Sequence, residues 1–366
     1  MKGIPIGLVS SVANPVLQLF TRQNEHLVDM YSGTYTIHSL VGASPTVVVA
    51  PTAINTVADK LGTGRYAIAT GATAALSVGT HRVTCTFKMA AGGADHIQVI
   101  YFEMLDAADW VSTGQYLGYI TTKALVDGAQ LGTTTRAVMH KHINRESRNI
   151  ERILGRCFEP RYQVLKLSGN GKETLFLHEA IIAVEKLESA YKDSSQNDIL
   201  VEFDASSYKV YNRHLDGFLD TDDRRNPKIE LVGTLAYEGS EVPPASTYSW
   251  PHGEQNLWVT GVFGYTDPTV DSDVSGVSIG ETPDDLGTVI QALIYRRLQD
   301  PTLSSLGIHS PGALVEVATR DQRAKFAGGG SGSMSAMWTS ELTGDPILDR
   351  ILMRFMAPPD IGYARR

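Results

Sequence analysis

Cysteine is nearly missing from this chain: Cys85 and Cys157 are the two in 366 residues. A chain of this length buries a core of its own without cross-links. Both cysteines fall in patterned runs, one strand-like and one helix-like, so they read as reduced, buried thiols and a disulfide-stapled scaffold is excluded. A reducing compartment such as the cytoplasm is then the natural place of synthesis. Basic residues are also short, with 32 Lys and Arg against 40 Asp and Glu and a formal net charge of −8. Wrapping nucleic acid requires clustered cations to neutralise phosphates, which this balance does not offer; a surface past which DNA slides is compatible with it. Long apolar runs are missing too. Residues 3 to 21 carry no charge and follow Lys2 in the manner of a leader, but Pro5 and Gly7 interrupt them, and the uncharged stretch 39 to 58 holds Gly42, Pro45 and Pro51. Neither reads as a leader or a membrane span.

Catalytic patterns are the next absence. The chain holds no G-x-S-x-G, H-E-x-x-H or C-x-x-C, and no G-x-G-x-x-G after a strand. "GNGKET" imitates the end of a phosphate loop, yet the first glycine position is Lys166 and the hydroxyl position after Lys172 is Glu173. It reads as a hairpin turn. His140 and His142 are two apart on a helical run, which points their rings in different directions, so they read as solvated or interfacial histidines and not as a metal pair. "DSDVSGVSIGE" opens like a calcium loop with Asp271 and Asp273, but its acid, Glu281, comes one residue early and the twelfth position is Thr282. An ordinary strand-to-helix loop is the simpler account, and "DGFLDTDDRRNP" reads as surface carboxylates neutralised by Arg224 and Arg225. Neither an enzyme nor a bound cofactor or metal is expected.

What is present divides the chain into zones and defines an α+β, multidomain protein. Its 34 glycines exceed the roughly 26 of average usage and gather between short apolar runs, as β-rich proteins with long loops require. Residues 1–112 read as a β-sandwich, with β-branched and aromatic runs separated by Gly, Asn, Asp and Pro. The clearest hairpin is "GTHRVTCTFKMAAGGADHIQVIYFEML", where Val83, Cys85 and Phe87 alternate with Arg82, Thr84 and Thr86. Residues 113–323 read as a second unit, with a linker to about 135, a long helix near 134–158, strands around "SGNG", and a β insert at about 195–250. Residues 324–366 read as a glycine-rich arm ending in a short helix.

Three helical stretches carry amphipathic stripes. In the first, Met139, Ile143, Ile150, Leu154 and Cys157 line one side, Gly155 can end the helix in left-handed geometry, and Pro160 forbids continuation. The second, "TPDDLGTVIQALIYRRL", is capped by Thr282, has Pro283 at the first helical position, and lines up Leu286, Val289, Ile290, Leu293 and Ile294. The third follows Asp345 and Pro346. Its stripe, Ile347, Leu348, Ile351, Leu352 and Phe355, is costly to leave wet, so this helix is expected to dock on a partner or a neighbouring copy, with packing on its own core as the alternative.

The order of these elements, a helix ending in Gly155–Arg156, the aromatic Phe158 and Pro160, then "VLKLSGNGKETLFL", a β insert, "GVFGY", a capped helix and a polar arm, resembles the head–tail connector (adaptor) family of tailed bacteriophages. The resemblance covers about residues 115 to 323, and more loosely the tail to 366; the large N-terminal β region and the longer insert depart from it. It implies a structural virion protein of the neck, assembled in the host cytoplasm. Further implications are a self-assembled ring of roughly twelve copies, a portal protein above it, a stopper, tail-terminator or tail protein below, and DNA passing through the lumen without specific binding. It also implies that the arm helix docks on the portal or an adjacent subunit, while the N-terminal sandwich is an outer appendage. The competing reading is a tail or baseplate protein whose sandwich binds a glycan, with Tyr31, Tyr35 and Tyr66 as its aromatic platform.

Overall fold

Residues 4–9, 16–23, 25–41, 44–69, 76–105, 115–123, 125, 136–192, 198–212, 223–232, 249–267, 279–299, 316–318, 323–325, 343 and 345–356 are described by a computed structural model of the chain. In chain order the first strands are β1 (Ile4–Val9), β2 (Val16–Phe20), β3 (Arg22–Gln23), β4 (His26–Leu27), β5 (Ser32–Ser39), β6 (Thr46–Ile54), β7 (Lys60–Gly62), β8 (Arg65–Ala69), β9 (Gly79–Lys88), β10 (His96–Leu105) and β11 (Gln115–Gly118). Helix α1 (Arg136–Leu154) comes next. After it are β12 (Arg161–Gly169), β13 (Thr174–Phe176), β14 (Ile181–Lys192), β15 (Asp198–Glu202), β16 (Tyr208–Val210), β17 (Lys228–Leu231) and β18 (Gly253–Phe263). Helix α2 (Asp284–Gln299), the pair β19 (Glu316–Ala318) and β20 (Arg323–Lys325), and helix α3 (Pro346–Met353) complete the described elements. The class is α+β, with strands predominating.

The N-terminal strands enclose one apolar layer between two sheets. The larger has the order β11-β1-β10-β9-β5-β6 and the smaller β2-β8-β7. Strands β9 and β10 pair antiparallel as the hairpin pattern requires, with Val83 opposite Ile100 and Cys85 opposite Gln98. Val83, Cys85 and Phe87 face inward and meet Leu17, Leu19, Tyr66 and Ile68 from the smaller sheet. Tyr35 and Tyr66 belong to this interior, whereas Tyr31 is 61% exposed. An aromatic platform built from those three side chains is therefore not formed: two of them are structural.

The second part centres on β18, which lies between β12 and β14 in the order β12-β18-β14-β4-β3, with β15 on the outer stretch of β14. From the expected β insert, β15 joins this sheet, while β16 and β17 form a three-stranded sheet with β13. The hairpin expected around "SGNG" is not made. Strand β12 takes β18 as its partner and β13 takes β17, so the turn carries the chain from one sheet to another. Its left-handed residue is Gly171, at φ +68°.

Residues 1–112, expected as an appendage, are fastened to the rest of the chain in several places. His26 of β4 pairs in parallel with Val184 of β14, and Phe20 and Leu27 pack with Ile182, Ala183 and Val262. Strand β11, beyond residue 112, completes the N-terminal sheet by pairing with β1. Just beyond it the Tyr119 N–H donates to Ser147 Oγ of α1 at 3.0 Å.

The three helices form a separate apolar core. Met139, Ile143, Ile150 and Leu154 from α1 meet Leu286, Val289, Ile290, Leu293 and Ile294 from α2, as their spacing requires. Leu348 and Leu352 from the C-terminal helix and Phe355 just beyond it are buried in the same cluster, with Ile351 packed against it. The docking stripe is thus largely occupied within the chain, and Ile347 stays outside at 73% exposure. Local chemistry fixes the helix there: Asp345 caps it by accepting from the Ile347 and Leu348 N–H groups, and pairs with Arg296 of α2. Thr343 donates from both its N–H and its hydroxyl to buried Asp349.

Candidate assembly surface at the end of helix α1

Helix α1 stops where its sequence allows a left-handed residue. Gly155 sits at φ +66° and its N–H donates to the Glu151 carbonyl at 2.8 Å, closing the last turn. The chain then turns inward. Arg156 is buried and donates to the Arg224 and Arg225 carbonyls, so the pair expected to neutralise the acidic run also supplies acceptors to this corner. Arg224 itself pairs with Asp267 and lies 4.2 Å over the Tyr265 ring.

Phe158 is fully buried and is the hub. Its ring centroid lies 5.6 Å from Tyr119 and 5.9 Å from both Tyr265 and Phe355, in edge-on or tilted geometry. Its backbone is held as well: the N–H donates to Tyr119 Oη, and the carbonyl accepts from the Thr282 hydroxyl at 2.8 Å. Thr282, expected as a cap for α2, therefore links that helix start to the corner. Pro160 leads into β12. The "GVFGY" motif approaches from the other side. Gly264, at φ +149°, lies so near that a Cβ on it would stand 2.1 Å from the Glu159 carbonyl oxygen. Segments before α1, after it, at the end of β18, before α2 and after α3 converge on these few residues.

A network of charge surrounds the hub. Glu151 accepts from Arg148 at 2.7 Å, from Tyr119 Oη at 2.5 Å, and from Arg161. Arg161 also donates to Glu159 at 2.5 Å. Outside this network a cleft of about 400 Å³ opens, lined by Arg148, Glu151, Arg152, Gly155, Arg156, Cys157, Arg161 and Glu179. Cys157 rests on Glu179 at 3.4 Å, and burial pushes its thiol pKa up, away from reactivity. A smaller cleft, about 170 Å³, flanks the other side of Arg152 and includes Ile150, Ile153, Leu293 and Thr343.

Burial holds the Glu159 carboxyl well above its ordinary range, at about 8, against the pull of Arg161 and with the help of Glu151. In the unfolded chain the same group ionises near its usual 4.5. Between these values the unfolded state releases a proton that the folded state retains, so this residue lowers stability as pH rises from about 4.5 to about 8. The expected result is a melting temperature that falls across that window in wild type and falls less in Glu159→Gln. Equal slopes in the two proteins would remove Glu159 as the cause.

A second buried polar cluster joins α1 to the N-terminal sheet. Glu103 of β10 is fully buried, accepts from the Thr80 and Thr122 hydroxyls and the Thr122 N–H, and lies 3.8 Å from buried His140. Burial opposes its charge, but His140, Thr80 and Thr122 outweigh that and hold its carboxyl below the usual range. Its contribution has the opposite sign to that of Glu159, being present above the ordinary carboxylate range and lost on acidification. Of the solvated or interfacial reading of His140 the solvated half is corrected here, since the residue is buried between α1 and the N-terminal sheet. The helix face carrying it is covered by a sheet that the spacing of two histidines does not reveal.

Among the residues singled out in the sequence, Gly155, Arg156, Phe158 and Pro160 come together as one corner. Ile347, Leu348, Ile351 and Leu352 lie on one helix, and Phe355 just beyond its end reaches that corner. Asp271 and Asp273 lie outside the described residues, and Glu281 is engaged through its backbone with Asp267. Sequence reasoning missed Tyr119, which falls in the stretch that reads as a linker, together with Glu159 and Arg161. The signal available for the last two was their alternation of charge around Pro160. No family model matches the chain, and no curated protein matches it. Among solved structures, one similar in part is described as the neck of an empty GTA particle computed with C6 symmetry. It is 13% identical at a TM-score of 0.32, over 66% of this chain and 92% of that one, and a likeness at that level carries no argument.

Proposed function

We propose that the chain is a structural protein of a phage-like particle: a head–tail connector that forms a ring below the portal, bridges capsid and tail, and lines the passage for DNA. The observation that supports this is the corner at 155–160. The four residues carrying the family resemblance are the left-handed helix end, the buried arginine, the aromatic hub and the entry to β12. The second motif, "GVFGY", closes on the same point through Gly264. These residues form a rigid scaffold with its charge turned outward along α1, which suits a subunit that meets copies of itself and not a substrate.

Within this reading the partners are further copies, the portal, and a stopper, tail-terminator or tail protein, and the site of action is the virion neck after assembly in the host cytoplasm. The acidic balance suits a lumen that DNA crosses without adhering. Glycan recognition by the N-terminal sheets is the weaker reading, because Tyr35 and Tyr66 are interior. Electron microscopy of the purified protein with and without portal tests the proposal. Closed rings of roughly twelve copies on the portal are the expected result; a monomer beside intact portals, or a trimeric spike, would refute it.

A further inference from the structure

Helix α1 carries five Lys or Arg against two Glu, in a chain whose net charge is −8. Arg145, Arg148 and Arg152 recur at spacings of three and four, so they stand on one ridge of the helix. Arg145 and Arg152 are exposed, and neither has a hydrogen bond or ion pair among the described residues. Arg152 also stands on the rim shared by both clefts. Beside the ridge Glu146 is buried and Glu151 is taken up by Arg148, Arg161 and Tyr119, while one flank has the apolar lining of Ile150, Ile153 and Leu293. A concave, partly apolar flank with exposed arginines has the composition of a protein contact.

Complementary charge is present on the same helical core. The first turn of α2 exposes Asp284 and Asp285. Asp284 has no side-chain partner among the described residues, and Asp285 meets Arg354 at 3.6 Å in a pair that is more than half exposed on both sides. We infer that the α1 ridge of one copy, Arg145, Arg148 and Arg152, receives the Asp284–Asp285 turn of the next. The inference rests on the proposed ring and names the contact that would build it. The two surfaces are unlike, so the contact is head-to-tail, the kind that closes by rotation. Guanidinium groups suit the role because their planar donors engage carboxylates in pairs.

The test is charge reversal in the full-length protein: Arg152→Glu, Asp284→Arg, and both together, with Arg152→Gln as a milder variant. Assembly is read by sedimentation and electron microscopy, the fold by thermal melting, and nucleic-acid retention by co-sedimentation with duplex DNA. Each single reversal is expected to reduce the assembled fraction at least tenfold without moving the melt, and the double reversal to restore it. Rings indifferent to both single reversals overturn the pairing, as do rings lost in the singles and not regained in the double. Loss of DNA retention with rings intact would assign the ridge to nucleic acid and overturn it as well. A wild-type chain that forms no ring at any concentration, alone or with portal, overturns the ring reading and takes this contact with it. A wild-type ring that survives Arg152→Glu sinks the contact alone.

Discussion

Phe158→Ala is expected to lower the unfolding free energy by about 3–5 kcal/mol, the usual loss for a buried aromatic cut to alanine. The side chain is fully buried, three aromatic rings lie within 6 Å of it, and each belongs to a different segment of the chain. Those neighbours cannot collapse into the vacated space without moving Tyr119, whose hydroxyl is tied to both the Phe158 N–H and Glu151. The polar contacts of the corner involve the Phe158 backbone, so they survive the substitution, and the loss is one of packing. Against a total stability of roughly 5–15 kcal/mol, such a change is decisive. Urea unfolding of wild type, Phe158→Leu and Phe158→Ala measures it, with leucine expected in between. A cost below about 1 kcal/mol for alanine would contradict the central role given to this ring.

Removing residues 326–366 is expected to produce the second large effect, a fall in stability on the order of 5 kcal/mol. Leu348, Leu352 and Phe355 are all buried in the helical core, and burial of each large apolar side chain stabilises by about 1.5–3 kcal/mol. Truncation strips their cover from Phe158, Tyr265 and α2, and leaves Arg296 without Asp345. Thermal melting and portal co-sedimentation should be read side by side. A lowered melt identifies the helix as part of the fold. An unchanged melt with lost portal binding would mean that the helix functions on a partner and that its seat on this core is dispensable. The paired substitution Leu352→Ala with Phe355→Ala, which leaves the arm in place, separates loss of packing from loss of chain.

The parts legible in the sequence are those where a period and a stop signal coincide. Helix α2 was readable from Pro283 and its stripe, the end of α1 from Gly155, and the β9–β10 hairpin from alternation around "AAGGAD". Pairing between distant strands was not. A strand pattern says which face is apolar and nothing about which edge will meet it, so "VLKLSGNGKETLFL" suggests a hairpin although β12 and β13 find partners some ninety and fifty residues further on. The two-residue strands β3 and β4 are too short to carry any period, yet they join the two halves of the chain. The stripe of α3 was legible and its occupant was not, because a groove on a partner and a groove on the chain's own core demand the same side chains. At the corner, the glycine, arginine, aromatic and proline stood out by type. Glu159 did not, since its raised pKa arises from burial that only the assembled fold creates.

Strand β1 has a consequence for synthesis. It lies between β10, which it meets in parallel, and β11, which it meets antiparallel. Of the described strands β1 is made first, yet it fills an interior position in a sheet whose neighbouring strands are made about ninety or more residues later. At typical elongation rates of about 5–20 residues per second, it must wait several seconds or more, unpaired and apolar, before either flank exists. Closing that gap brings together segments far apart in the chain, a slow step that local pairing of β9 with β10 can precede. A leading tag long enough to obstruct residues 4–9 should therefore impair yield during translation more than it impairs the finished protein. A tag placed after residue 366 would leave this step untouched.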